Sequence, residues 1–418
     1  SFPDIESMDA ALIQVPDTIM SLHKLISYLR YLYRPVVLAI TGSMGKTTTK
    51  DLLAHVLASR FDTLKSEASY NNQYGIPLTV SKLVPGCTHL VLEIGANHMG
   101  EIGYLSNMVE PDLGIITNIG WAHIGNFGSL QNTLEAKCEI IPAIREGGDI
   151  IINGDDEALV SKTKKIAANS LRVVRCGFQE SNDVFVSDIT YQAYQTRGIF
   201  NYRGKRLPFV LNSVGEHMIC AAINAFTAGI LSGVEAELIL ESFTTFKPPA
   251  GRFRIIPVNS NLTVIDDSYN ASPDAMMSAL NNLKQFTDTI KIAVLGEMKE
   301  LGDYAAQCHA IVGKTAANLV SHLIVMGSTD CGIIPAAIKE GFNRNNAFNV
   351  NSVKEVLGTV ESLLKANEHK SVVLVKGSRF THMERVVLGL TNKSDIGCDV
   401  PNCDKYVKCS ECPDKGGT

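Results

Sequence analysis

Val36-Val37-Leu38-Ala39-Ile40-Thr41-Gly42-Ser43-Met44-Gly45-Lys46-Thr47-Thr48-Thr49-Lys50 is an apolar run that empties into a glycine–lysine–threonine turn and then a helical pattern. A strand, a glycine-rich turn and a helix in that order make a phosphate cradle. Gly42 and Gly45 let backbone N–H groups approach phosphate oxygens closely, with Ser43 between them. Lys46 supplies a mobile cation, and Thr47, followed by Thr48, offers a hydroxyl to Mg²⁺. An ordinary helix start is the competing reading, and the strand–turn–helix context weighs against it. Ile40 stands where a four-residue Walker loop would place its first glycine, so the loop is the shorter Gly-x-x-Gly-Lys-Thr-Thr. A nucleoside triphosphate is the expected ligand.

Outward from this loop, apolar strands and helical stretches alternate: Val36–Ile40, a helix from Thr47 to about Ser59, then Leu90–Ile94, Leu113–Thr117 and Ile150–Ile152. That order predicts a doubly wound, mostly parallel α/β sheet. From about Asp183 alternating segments, Thr196–Tyr202 and Leu207–Leu211, read as an antiparallel appendage, followed by helices Met218–Leu231 and Ala236–Thr244. Phe246-Lys247-Pro248-Pro249-Ala250-Gly251-Arg252 breaks every periodicity, because two prolines and a glycine suit neither helix nor strand interior. A domain boundary is expected there. Beyond it a second, smaller α/β alternation runs from Leu262 to Leu390. The expected division is a short segment 1–35, a central domain 36–248, a C-terminal domain 249–392 and a tail 393–418.

With 38 basic and 43 acidic side chains among 418 residues, the net charge of −5 gives no electrostatic footprint for nucleic acid or an anionic membrane. No apolar run reaches the roughly 18 residues of a membrane span, and the first residues lack the order of a signal peptide, so a cytoplasmic enzyme is expected. Six of the ten cysteines stand singly, as reduced core residues do. The other four, Cys398, Cys403, Cys409 and Cys412, crowd the tail, where only the last pair has the close spacing of zinc or iron–sulfur ligands. A metal site and a solvated tail with incidental thiols both fit that pattern.

Glu93, then Asn118 with His123, fall at the ends of successive predicted strands, and Lys137 lies on the next helix. Open parallel sheets bind ligands at that edge. Glu93 closes an apolar strand, so its carboxylate emerges where Mg²⁺ held by Thr47 needs a second oxygen.

Gly42–Lys50, Asn71-Asn72-Gln73-Tyr74-Gly75-Ile76-Pro77, Glu93-Ile94-Gly95-Ala96-Asn97-His98-Met99-Gly100 and Asn118-Ile119-Gly120-Trp121-Ala122-His123, in this order, resemble the Mur ligase family. Asp266-Asp267-Ser268-Tyr269-Asn270-Ala271-Ser272-Pro273-Asp274, Leu295–Gly302 and Val375-Lys376-Gly377-Ser378-Arg379 are similar to its D-alanyl-D-alanine-adding branch. The resemblance covers about Ala10 to Leu390. It implies a phosphate-loop central domain, a Rossmann-like C-terminal domain, and an ATP- and Mg²⁺-dependent ligase. Such an enzyme activates a small-molecule carboxylate as an acyl phosphate and joins it to an amine in peptidoglycan synthesis. By that resemblance Lys46 neutralises the phosphates, Thr47 and Glu93 hold one Mg²⁺, and His123 ligates a second. Lys137 matches a lysine carbamylated in several members, which turns a cation into a metal-binding anion; unmodified it reads as a helix-surface charge. Arg252 reaches the γ-phosphate from the hinge, Asp267 and Asn270 contact ribose and adenine, and Asn71, Asn72, Lys376 and Arg379 serve the substrates.

Three departures from the family pattern bear on the substrate. Only about 35 residues precede the loop strand, too few for the domain that holds a uridine diphosphate. That reading expects either a truncated chain or a substrate without a nucleotide handle. The usual Gly-x-His-Asn-x-x-Asn reads Gly215-Glu216-His217-Met218-Ile219-Cys220-Ala221, with Asn224 on the same helix face as a possible substitute. The cysteine tail is the third. Two alternatives therefore stand beside the peptidoglycan ligase: a related synthetase acting on another carboxylate, such as a tetrapyrrole coenzyme precursor, and a non-catalytic nucleotide-binding scaffold.

Overall fold

The computed structural model describes residues 13–391 apart from 169, 193, 328–330 and 367–368. The tail with Cys398, Cys403, Cys409 and Cys412 lies outside the described residues. Two sheets organise what is described. The first contains β1 (Val36–Thr41), β2 (Thr63–Lys65), β3 (His89–Glu93), β4 (Leu113–Ile116), β5 (Asp149–Asn153), β6 (Arg172–Gly177), β7 (Val184–Gln192), β8 (Gln195–Tyr202) and β9 (Lys205–Leu211). Their spatial order is β2-β3-β1-β4-β5-β6-β7-β8-β9.

Strand β1 lies between β3 and β4 with both pairings parallel, Ile40 opposite Glu93 on one side and Ile115 on the other. Leu38 and Ile40 pack into a layer with the helices Lys46–Leu57 and Glu216–Leu231. Val37 and Ala39 pack into the opposite layer, with Ile26, Leu105 and Leu134. Burial on both faces is why β1 reads as a continuous apolar run rather than an alternation. The chain leaves β1 toward β2 and later leaves β3 across it toward β4, so a crevice opens at the carboxyl ends of these strands.

The antiparallel segment is not a separate appendage. Cys176 and Gly177 of β6 pair in parallel with Val184 and Phe185 of β7, so β7–β9 extend the same sheet before it turns antiparallel. The N-terminal segment also carries structure that the sequence reading left blank. Asp17 caps the helix Thr18–Tyr33, accepting from the Met20 N–H. On that helix Arg30 lies 3.0 Å from Asp112, whose carboxylate also accepts from Val37 N–H at 2.8 Å.

The second sheet contains β10 (Arg254–Pro257), β11 (Leu262–Asp267), β12 (Ile290–Gly296), β13 (His322–Met326), β14 (Ala347–Val350) and β15 (Ser371–Lys376), in the order β10-β11-β15-β12-β13-β14. All its pairings are parallel except β10 with β11. Ile265, Ala293 and Leu374 face one helical layer and Val264, Val294 and Val375 the other. The carboxyl ends of β11 and β15 meet the phosphate loop of the first half. No described helix is long and apolar enough to cross a membrane.

Candidate active site

The loop after β1 is held open by its neighbours. Gly42 and Gly45 have φ of 137° and 81°, and a Cβ on Gly42 would lie 2.0 Å from Thr117 Oγ1, so close passage over the end of β4 requires glycine. Asn118 Oδ1 accepts from Met44 N–H at 2.8 Å, Thr117 Oγ1 donates to the Met44 carbonyl at 2.6 Å, and Ser43 Oγ accepts from Gly120 N–H at 2.9 Å. Lys46 Nζ donates to the Gly42 carbonyl at 2.7 Å, folded onto its own loop. Burial pushes the Lys46 ammonium down from its ordinary pKa, with Glu93 opposing and Arg252 adding to that shift.

Glu93 is 2% exposed, enclosed at the end of its strand rather than solvated. Its Oε1 accepts from Asn71 Nδ2 at 2.9 Å, while Oε2 is buried with no hydrogen-bond partner. A buried, unpartnered carboxylate oxygen beside the loop is the feature that fits a hard cation. Among the described residues no group of three or more His, Cys, Asp and Glu side chains could hold a metal ion. Mg²⁺ here would therefore take the rest of its shell from hydroxyl, phosphate and water oxygens, as it ordinarily does in phosphate sites.

His123 adopts φ 58° at the start of the helix Ile124–Phe127, and its Nδ1 lies 3.0 Å from Glu300 Oε2 of the second half. Lys137 corrects the sequence reading: it is not a surface charge but 1% exposed, its Nζ 4.9 Å from the Phe127 ring centroid. Burial, with the Lys46 charge adding, lowers its pKa to about 7 against the pull of Glu139 and Glu101.

The second half supplies the other wall. Arg252 donates from Nη2 to Thr47 Oγ1 at 3.0 Å and stacks 4.0 Å from the Tyr269 ring centroid. Gly251, at φ 76°, gives the turn before it. Asp267 Oδ1 accepts from Phe253 N–H at 3.1 Å, and Oδ2 lies 2.7 Å from Lys376 Nζ. Lys376 is 2% exposed and also donates to the Asn270 carbonyl at 2.9 Å, so it braces the turn that holds Asp267 and Asn270. Arg379 is 5.6 Å from the same Tyr269 ring, and its N–H donates to Asn270 Oδ1 at 3.3 Å. Asn72 Oδ1 caps its own turn, accepting from Tyr74 and Gly75 N–H at 3.1 and 2.9 Å.

Ser43, Lys46, Thr47, Thr48, Asn71, Asn72, Glu93, His123, Arg252, Asp267, Asn270 and Lys376 line one cavity of about 500 Å³. Gly42, Lys137 and Arg379 are not among the residues that line it. A second cavity, about 680 Å³, lies across the loop from the first and shares Met44, Gly45, His217 and Ser278 with it. Its walls include Asn118, Asp155, Cys220 and Asn224. Asn224 donates to the Cys220 carbonyl at 3.0 Å, a local helix bond.

Several contacts across the two halves escaped the sequence reading. Tyr269 donates its hydroxyl to Ser69 Oγ at 2.6 Å, Asp274 Oδ2 accepts from Trp121 N–H at 2.7 Å, and Glu300 meets His123. All three residues sit inside recognisable motifs, yet nothing in their spacing names a partner in the other half. The second cavity had no signal, since seven separated stretches build it.

Residues 40–229 match the Mur ligase middle domain, and residues 251–379 match the Mur ligase, glutamate ligase domain. The chain is 32% identical over 388 residues to the UDP-N-acetylmuramoyl-tripeptide–D-alanyl-D-alanine ligase of Bacillus subtilis (strain 168), covering 91% of this chain and 81% of that protein. It is 30% identical over 386 residues to the protein of the same name from Escherichia coli (strain K12), covering 92% and 83%. A crystal structure of MurF from Acinetobacter baumannii superposes with a TM-score of 0.83 at 31% identity, covering 93% of this chain and 84% of that one. The MurF ligase of Thermotoga maritima in complex with ADP superposes at 0.81 and 25% identity, covering 93% and 87%.

Proposed function

Because the chain belongs to the Mur ligase family, we propose that it is an ATP-dependent ligase joining D-alanyl-D-alanine to a UDP-N-acetylmuramoyl-tripeptide. The observation that carries this reading is the bond from Arg252 to Thr47, which brings the second half's guanidinium onto the phosphate loop beside Lys46 and Glu93. A scaffold needs a nucleotide cradle but no convergence of two cations and a buried free carboxylate oxygen upon it.

In the proposed reaction an oxygen of the tripeptide carboxylate attacks the γ-phosphorus, the bond to ADP breaks, and an acyl phosphate forms. The dipeptide amine then attacks the acyl carbon. The tetrahedral adduct collapses with loss of inorganic phosphate, and the nitrogen gives up a proton. Charge moves onto phosphoryl oxygens in the first step and onto the former carbonyl oxygen in the second. Lys46, the loop N–H groups and Arg252 would offset it. Thr47, Glu93 and His123 would hold Mg²⁺, which when bound neutralises phosphate charge. Lys137, with a pKa near 7, keeps much of its amine unprotonated at neutral pH. That free lone pair can take CO₂, forming an N–C bond and releasing a proton to leave a carbamate anion. Asp267, fixed by Lys376, and Asn270 serve the nucleoside side, with Asn72 toward the carboxylate substrate. We assign residues 36–248 and 249–392 to the two catalytic domains and the enzyme to the cytoplasm, where its nucleotide substrates would be soluble.

The test is ligation monitored by phosphate release and product mass with ATP, UDP-N-acetylmuramoyl-tripeptide and D-alanyl-D-alanine, against Lys46→Ala. Phosphate release that depends on both substrates and is lost in the variant supports the reading. Turnover only with another carboxylate, such as a tetrapyrrole precursor, would reject the substrate assignment, and ATP turnover with none would reject the ligase.

A further inference from the structure

We infer that Asn71 is a positioning residue for the metal-binding carboxylate, clamping one oxygen of Glu93 so that the other stays turned toward the cation; this rests on the ligase reading above. A glutamate at a strand end can swing about its terminal torsions, and burial alone does not choose which oxygen faces the site. Here Asn71 Nδ2 donates to Oε1 at 2.9 Å, and Oε2 is left buried and unpartnered. An amide suits this task. It offers an N–H without adding a charge, whereas an ammonium would compete with the cation and a carboxylate would repel Glu93.

Asn71 is itself held by its backbone and by Gly95. Its carbonyl accepts from Gly95 N–H at 2.9 Å, and its own N–H donates to the Ser69 carbonyl at 2.8 Å. Its carboxamide packs against Gly95, where a Cβ would come within 2.8 Å of Cγ and Nδ2. Upstream, Ser66 N–H donates to the Val91 carbonyl at 3.0 Å, and Ser66 Oγ accepts from Glu93 N–H at 3.3 Å, so the segment runs along β3. Lys50, 1% exposed on the phosphate-loop helix, donates to the Ala68 carbonyl at 2.7 Å and pins the intervening turn, where Ala68 has φ 44°. The side chain that reads from sequence as a substrate contact is thus committed to the carboxylate.

The experiment titrates Mn²⁺ into the full-length protein with ADP and reads free Mn²⁺ by electron paramagnetic resonance. The proteins compared are the parent, Asn71→Ala, Asn71→Asp and Gly95→Ala, the last displacing the amide without removing it. Loss of an outer-shell partner weakens metal affinity by about 10- to 100-fold. The expected result is a loss in that range for Asn71→Ala and Gly95→Ala and a larger one for Asn71→Asp. ADP binding in EDTA, and the KM for the tripeptide at saturating Mg²⁺, should stay unchanged. Unaltered Mn²⁺ affinity with a raised tripeptide KM would overturn the inference and return Asn71 to the substrate, leaving the ligase reading intact. A parent protein with no metal-dependent ADP binding would sink both.

Discussion

Replacing Lys137 by methionine, similar in length and uncharged, isolates the cost of burying an ammonium. In the folded chain the pKa of Lys137 falls from 10.5 to about 7, so between those values the unfolded chain binds more protons than the folded one. Stability therefore rises with pH across that window. The penalty is complete below pH 7 and fades as pH approaches 10.5. At 1.36 kcal/mol per pH unit it amounts to roughly 4 kcal/mol at pH 7 and about 1 kcal/mol at pH 10. Lys137→Met should then gain roughly 3 kcal/mol more over the parent at pH 7 than at pH 10. Whatever the substitution changes in packing against Phe127 is the same at both pH values and cancels in the difference. Urea unfolding of both proteins in carbonate-free buffer measures it, and adding bicarbonate at pH 8 should stabilise the parent alone. A gap that does not change with pH would refute the buried-amine argument, and with it the route to a carbamate.

Three further outcomes follow from the contacts between the halves and from the loop. Gly42→Ala places a methyl 2.0 Å from Thr117 Oγ1 at φ 137°, and calorimetry should find ADP affinity reduced by more than about tenfold, since the loop cannot keep its path. Gly120→Ala puts a Cβ 2.3 Å from Asp274 Oδ2, against the bond to Trp121 N–H; small-angle scattering should show a larger radius, and the fluorescence of the single tryptophan, 5.6 Å from the Tyr304 ring, should shift to the red. Burial pushes the His217 pKa down to about 3, so its contribution is present above pH 6.5 and is lost as pH falls toward 3; His217→Gln should unfold with a flatter acid limb over that window in a pH series of thermal melts.

The alternation of buried strands with helices was legible because burial on both faces leaves a plain mark. Leu38 and Ile40 pack one way and Val37 and Ala39 the other, and such a strand has no room for a polar residue until its carboxyl end. Glu93 could be singled out for the same reason, being the first charge after Leu90-Val91-Leu92. The pairs β6–β7 and β10–β11 left weaker traces. Arg172–Gly177 carries arginines at its first and fourth positions, which interrupt the apolar run, and the four residues Arg254–Pro257 include a proline tolerated only because the strand lies at an edge. The helix Thr18–Tyr33 was missed for another reason: Leu25, Tyr28, Tyr31 and Leu32 stay exposed on it, which blurs the amphipathic period that would have announced it.

Site residues divide along the same physical line. A residue that carries charge to a loop leaves its mark in type and position, as Lys46 and Glu93 do, whereas Arg252 was singled out only through the family resemblance. A residue whose role is set by what it touches leaves no such mark. Lys137 reads as a surface charge from its neighbours Glu135 and Glu139, and only the fold encloses it beside Phe127. Asn71 and Asn72 are identical and adjacent in sequence, yet one carboxamide is spent on its own turn and the other on a carboxylate 22 positions away. Tyr269 shows how far such placement reaches. Its ring carries Arg252 while its hydroxyl bonds Ser69, two positions before Asn71. The cation that meets the phosphate loop and the segment that aims Glu93 are therefore seated by one side chain of the second half. Separation of the two halves would withdraw both together, so in the proposed mechanism the Arg252 and Asn71 contacts are complete only when the halves are closed.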